Sequence, residues 1–124
     1  MSKPMLLKNF VAEAAITAYR QVKFGASSGA VLQATAATDM VIGVCNEVAP
    51  ALGERCDIVL VGIAYIEAGA TITRGALVTS DSVGRAVTPA PAAGTNNRYT
   101  GIALDSAVIG DIIPVLLTPG MMQG

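Results

Sequence analysis

Short apolar runs alternate with glycine-containing turns along almost the whole chain, and this alternation restricts the fold more than any other feature. The runs are rich in Val, Ile and Thr, and most are bounded by Gly, Asp, Asn or Pro. This pattern is typical of β-strands joined by tight turns. The candidate strands are residues 20–24, 31–35, 40–46, 57–65, 76–79, 85–88, 98–104 and 112–117.

Closely spaced strands with turn signals predict an all-β domain, either a compact β-barrel or a β-sandwich. The chain has 124 residues, which is the length of one domain. We therefore expect an N-terminal arm over residues 1–11 and a single β domain over residues 12–124.

The conformation of the first 19 residues stays open between two alternatives. Leu6, Leu7, Phe10 and Val11 fit the apolar stripe of a helix. Pro4 and the β character of the later chain also permit an extended arm. An apolar terminal segment needs a tether to be ordered, and a neighbouring subunit is one candidate for that tether.

A weak internal echo connects the two halves of the sequence. Gly43 and Gly101 lie in apolar strand candidates, and a Gly-acid pair follows each of them, at 53–54 and 110–111. Residues 29–32 and 75–78 extend the echo upstream. Duplication of a β unit and chance similarity in a chain rich in Gly, Ala and Val both remain open.

The composition is poor in charge. Hydrophobic residues make up 52% of the chain and charged residues only 14%, against about 25% charged in an average soluble domain. Either the core is large, or a partner covers part of the apolar surface. The longest uncharged stretch, residues 24–38, is too short and too polar to span a membrane. Glu13 interrupts any signal-peptide run, so we expect synthesis in a cytoplasm-like compartment.

The residues needed for most chemistry are missing. The chain has no His and no Trp, its carboxylates are dispersed singly, and it has no phosphate-binding glycine loop. Cys45 and Cys56 lack the spacing of a redox motif and are expected to be buried thiols. No basic block indicates nucleic-acid binding. We therefore expect no enzymatic activity, no catalytic residue, no cofactor and no metal site.

The order and spacing of several motifs resemble those of the capsid cement, or head-decoration, proteins of tailed bacteriophages. The resemblance covers about residues 10–120. The segments that carry it are residues 19–25, 36–44, 53–57, 62–64, 68–72, 75–81, 101–104, 110–111 and 115–117.

This resemblance implies a structural protein that binds the outer surface of a phage head, usually as a homotrimer. It would stabilise contacts between subunits of the major capsid protein, contact neither nucleic acid nor membrane directly, and be made in the bacterial host cytoplasm. An alternative is a non-catalytic ligand- or glycan-binding β module, although only 4% of the residues are aromatic. The candidate contact residues are Lys3, Pro4, Leu6, Leu7 and Phe10 in the arm and Pro89, Pro91, Asn96 and Asn97 in a proline-rich loop.

Overall fold

The structure is a computed structural model that describes residues 3–46 and 48–124, with side chains from Leu6 onward. The described residues contain nine β-strands and no helix, which confirms the all-β prediction. All eight strands that the sequence pattern predicts overlap an observed strand. The strands are β1 (Lys3–Ala12), β2 (Arg20–Phe24), β3 (Ala30–Gln33), β4 (Val41–Cys45), β5 (Arg55–Glu67), β6 (Leu77–Ser80), β7 (Ala86–Val87), β8 (Asn96–Ala103) and β9 (Ile112–Gln123).

The first five strands close into a barrel in the order β1-β3-β2-β4-β5, with β1 paired back onto β5. β1 runs antiparallel to β5 from Lys3, opposite Ile63, to Val11, opposite Arg55. The last residues of β1 also pair in parallel with β3. The segment predicted as an arm is therefore extended, and residues 3–12 are a strand of this barrel.

The remaining strands form a second barrel on the continuation of β5. Beyond Gly62, which has a φ of 108°, β5 pairs with β9, and the sheet continues in the order β9-β8-β6-β7. A parallel bridge between Ala68 and Ala86 returns the last strand to the end of β5. The two barrels thus share the long strand β5.

The two barrels are copies of one unit, here called repeat 1 (residues 3–60) and repeat 2 (residues 61–117). Each pairing in repeat 1 has a counterpart of the same direction in repeat 2. The matched pairs are Ala12–Val31 with Ala68–Ala86, Phe24–Val31 with Ser80–Ala86, Val22–Gly43 with Val78–Gly101, Val44–Val59 with Ile102–Leu116, and Lys8–Ile58 with Ala64–Val115. This agreement of register favours duplication over chance similarity, the two alternatives that the sequence leaves open.

Turn conformations repeat as well, and they correct the upstream part of the predicted echo. Gly29 and Gly84 both have a φ of 79° and end equivalent hairpin loops. Gly75, with a φ of 93°, matches Tyr19, with a φ of 62°, because each precedes the first strand of its hairpin. The predicted match of residues 29–32 with residues 75–78 is therefore wrong. Both segments begin with Gly-Ala, but one leads into β3 and the other into β6, and these strands lie at different places in the two barrels.

Each repeat has its own apolar core at equivalent positions. The core of repeat 1 contains Phe10, Ala12, Ile16, Val22, Val31, Cys45, Cys56 and Ile58. The corresponding side chains in the core of repeat 2 are Ile66, Ala68, Ile72, Val78, Ala86, Ala103, Ile113 and Val115. Burial of apolar surface stabilises by about 25 cal/mol per Å², so each core holds its own barrel together.

A buried polar residue, Gln21, joins the two repeats. Its side-chain amide nitrogen donates to the carbonyl oxygens of Thr79 at 2.9 Å and Arg85 at 3.2 Å. Its amide oxygen accepts from the hydroxyl of Thr100. Gln21 is fully buried, and these bonds satisfy polar groups that would otherwise be costly to desolvate. The contact fixes β2 of repeat 1 against repeat 2.

The two cysteines are buried in the core of repeat 1, as the sequence predicts. Burial, with a smaller effect of the neighbouring Cys56, raises the pKa of Cys45 to about 12, and burial also raises the pKa of Cys56. Because only the thiolate reacts, we expect neither thiol of the native protein to be alkylated by iodoacetamide at pH 8. Both should react at once in denaturant, as mass spectrometry would show. Labelling of the native protein at the rate of a free thiol would contradict this burial.

Candidate interaction surfaces

The described part of the chain contains no cluster of His, Cys, Asp or Glu that could hold a metal ion. Several of its acidic side chains hold loops or pair with a cation. Glu13 accepts backbone hydrogen bonds from Ala26 and Ser27, which lower the pKa of its carboxyl. Asp39 pairs with Lys23 at 3.2 Å.

A concave feature of repeat 1 is an open groove of about 720 Å³, here called the acceptor groove. One wall is β1 and the other is the hairpin of β2 and β3. Phe24 and Leu6 are 55% and 52% exposed there, and Lys8 is the only charged side chain that the described residues contribute to the lining. Its lining residues are Leu6, Lys8, Phe10, Phe24, Ser28, Gly29, Val41, Ile42, Leu60, Val61 and Pro119.

Two equivalent turns expose apolar side chains at their tips. In repeat 1, Leu52 is 72% exposed, and in repeat 2 the equivalent Ile109 is 64% exposed. Each residue precedes a glycine of positive φ, Gly53 at 83° and Gly110 at 93°. A turn of this type needs glycine at that position and points the preceding side chain outward.

An acidic side chain closes each of these apolar turns. Glu54 accepts a hydrogen bond of 2.7 Å from the amide of Ala51, and Asp111 accepts one of 3.0 Å from the amide of Val108. The carboxylates hold the turns in one shape, because each satisfies an amide that the turn leaves unpaired. Both acids of the Gly-acid pairs seen in the sequence therefore stabilise turns.

The two apolar turns lie at opposite ends of β5. The first turn leads directly into β5, whereas the second lies beside its far end, where Gly110 donates to the carbonyl oxygen of Ala68. β5 has 13 residues, so at about 3.3 Å per residue the turns are separated by up to about 40 Å. The molecule presents the same apolar feature twice, at two distant places.

The contact residues predicted in the N-terminal segment have different environments. Leu6 and Leu7 are 52% and 45% exposed, but Phe10 is only 4% exposed and belongs to the core. Lys3 and Pro4 pair with β5 through their backbone, and their side chains lie outside the described residues.

The candidate contact residues of the proline-rich segment differ in exposure. Pro89 is buried and Pro91 half-buried. Asn96 and Asn97 begin β8 and pair with β9, and of the two only Asn96 is exposed. The chain terminus covers the segment further, since Gly124 exchanges backbone hydrogen bonds with its loop.

The described residues contain no helix that is long and apolar enough to cross a membrane. Comparison with protein families gives one match: the phage cement protein family, over residues 5–116. This match spans most of the chain. The chain belongs to the phage cement protein family. Family membership supports a structural role in the phage capsid, in agreement with the resemblance seen in the sequence.

A solved structure has the same fold. The N-terminal base of the head fibre protein gp8.5 of bacteriophage phi29 superposes with a TM-score of 0.68 at 18% identity, covering 91% of this chain and 93% of that one. No curated protein matches the sequence. At this identity the structural match shows the shared fold, while the family match supports a cement role.

Proposed function

We propose that this cement protein binds the outer surface of the phage head, contacts the major capsid protein and acts as a homotrimer. Membership of the phage cement protein family supports the capsid role. The observation that carries the docking mode is the pair of equivalent apolar turns, with Leu52 and Ile109 at their tips. Exposed apolar side chains held in a fixed turn are suited to insertion into pockets of a partner.

Two equivalent apolar turns at opposite ends of β5 suit a protein that connects neighbouring capsid subunits. Subunits of a shell present the same pocket repeatedly, and one cement molecule can engage two of them through its two turns. Once one turn is bound, the second binds at a raised effective concentration, so the two contacts reinforce each other. The exposed residues Leu7 and Asn96 are further candidates for capsid contact.

Charged substitutions at the turn tips test this docking mode. Leu52→Glu and Ile109→Glu should each weaken binding to purified heads that lack the protein by about tenfold or more, because each removes roughly 1.5–3 kcal/mol of apolar burial. The double variant should lose binding almost completely. A sedimentation assay with labelled protein measures the bound fraction, and decorated heads should also resist heat better than bare ones.

A matched control is available at Met121, which is 52% exposed on β9 and lies outside both turns. Met121→Glu should bind heads as the unmodified protein does, and the thermal unfolding of all variants should be unchanged. Equal binding by the double variant and the unmodified protein would refute the assignment of the turns. Failure of the unmodified protein to bind heads in any maturation state would refute the cement role itself.

A further inference from the structure

One hydrogen bond differs between the repeats at the edge of the acceptor groove. In repeat 1 the amide of Val11 donates directly to the carbonyl oxygen of Gly29 at 2.9 Å. The equivalent amide in repeat 2, that of Glu67, donates to Tyr19 at 3.0 Å instead. The equivalent acceptor, the carbonyl oxygen of Gly84, accepts from Gln21 at 2.9 Å. Residues 19–21 of repeat 1 thus lie as a short added strand in the groove of repeat 2.

Burial shows the same contrast at equivalent positions. Phe24 of the acceptor groove is 55% exposed, whereas its counterpart Ser80 is 2% exposed. Ile42 is half-buried in the open groove, and its counterpart Thr100 is 4% exposed. Repeat 2 therefore has its groove filled by repeat 1, and repeat 1 has an equivalent groove with nothing from the described chain inserted in it.

The filled groove and its insert are both polar. Gln21 of the insert accepts from the hydroxyl of Thr100, and Arg20 forms an ion pair of 2.9 Å with Glu67. In the open groove, the positions of these two partners hold Ile42 and Val11. An insert that suits the open groove must therefore carry apolar side chains in place of the amide and the guanidinium.

Repeat 2 carries such a segment. The residues equivalent to Arg20 and Gln21 are Ala76 and Leu77, and Gly75 stands at the position of Tyr19. Gly75 is exposed, and Ala76 and Leu77 are half-buried. Within one chain a polar segment meets a polar groove, while this apolar segment and the apolar acceptor groove stay apart.

We propose that residues 75–77 of one copy, here called the donor segment, insert into the acceptor groove of the next copy. The backbone would add a short strand beside β1, and Leu77 would pack on Phe24 and Ile42. The donor and acceptor surfaces differ, so the contact is heterologous and joins copies head to tail in a ring. This inference specifies the contact between copies of the proposed homotrimer and is separate from the turns proposed to bind the capsid.

Cross-linking between two single-cysteine variants tests the head-to-tail contact. Ser28→Cys places a thiol in the acceptor groove, and Arg74→Cys places one beside the donor segment. Both sites are exposed, whereas the native cysteines are buried. A short bis-maleimide should join the two variants when they are mixed, and should join neither variant to itself. Ala93→Cys, exposed in the loop before β8 and outside the donor segment, should not cross-link to Ser28→Cys. A cross-link between two Ser28→Cys chains alone would overturn the head-to-tail geometry.

Oligomer mass gives an independent readout. The unmodified protein should sediment as an oligomer, and Phe24→Glu should sediment as the 12.6 kDa monomer with unchanged thermal unfolding. Leu52→Glu should keep the oligomer and lose only head binding. A monomeric unmodified protein with no cross-link in the mixture, or an oligomeric Phe24→Glu variant, would overturn the inference. Neither result would touch the head-binding test of the capsid role.

Discussion

Deleting residues 1–11 is expected to unfold the isolated protein rather than to remove a free arm. The deletion takes away nearly all of β1, the strand whose pairing with β5 closes the first barrel. It also removes Phe10 from the core and leaves β5 with an unpaired edge. Circular dichroism and thermal melting of the truncated chain should show loss of the cooperative transition. A truncated chain that melts like the full protein would show that β1 is dispensable for the fold.

A matched pair of point variants separates the effect of side-chain packing in β1 from the effect of losing the whole strand. Phe10 is 4% exposed and Leu7 is 45% exposed, and both lie on the same strand. Phe10→Ala should lower the free energy of unfolding by about 3–5 kcal/mol, because it leaves a cavity in the core. Leu7→Ala should change it by less than about 1 kcal/mol, as is usual for exposed sites. Denaturant unfolding measures both, and equal effects of the two variants would contradict the assignment of Phe10 to the core.

The positions of eight strands followed from the sequence because their signals are local. β-branched runs and glycine turns reveal β4 or β5 without knowledge of their neighbours. β1 gave no comparable signal, because its apolar residues fit a helix as well as a strand. Its conformation is decided by pairing with β5, whose Arg55 lies opposite Val11 although the two are far apart in sequence. Non-local pairing of this kind cannot be read from a short segment.

The duplication was visible in sequence only where loops have nearly equal lengths. Gly43 and Gly101 were matched correctly, and so were the turns at Gly53 and Gly110. The hairpins were not, because Tyr19 stands where repeat 2 has Gly75, and a tyrosine gives no signal of positive φ. Three-dimensional register, and not residue identity, relates these two positions.

The docking surfaces escaped prediction for different reasons. The acceptor groove brings Phe24, Leu60 and Pro119 together from three distant strands, which no local pattern shows. The apolar turns carried a usable signal, since Leu52 and Ile109 each precede the glycine of a Gly-acid turn. An apolar residue at such a turn has no partner within the turn, so its repetition in both halves indicates a surface role.

The close approach of neighbouring strands at Gly43 and Gly101 leads to the second large expected effect. A Cβ atom at Gly43 would collide with the carbonyl oxygen of Val59, and one at Gly101 would collide with that of Leu116. Because these oxygens belong to the adjacent strand, no side-chain rotation can relieve the contact. Gly43→Ala and Gly101→Ala should each lower the free energy of unfolding by about 3 kcal/mol, at the upper end of the cost of overpacking.

Gly94→Ala separates this collision from the general cost of replacing a glycine. Gly94 has a φ of 79°, and a Cβ atom there would meet nothing within 4 Å. Its replacement should cost only the backbone strain of an alanine at positive φ, about 1–2 kcal/mol. Denaturant unfolding of the three variants should therefore give two similar large losses and one smaller loss. A large loss at only one of Gly43 and Gly101 would mean that the two barrels do not depend equally on the same close strand contact, although their registers agree.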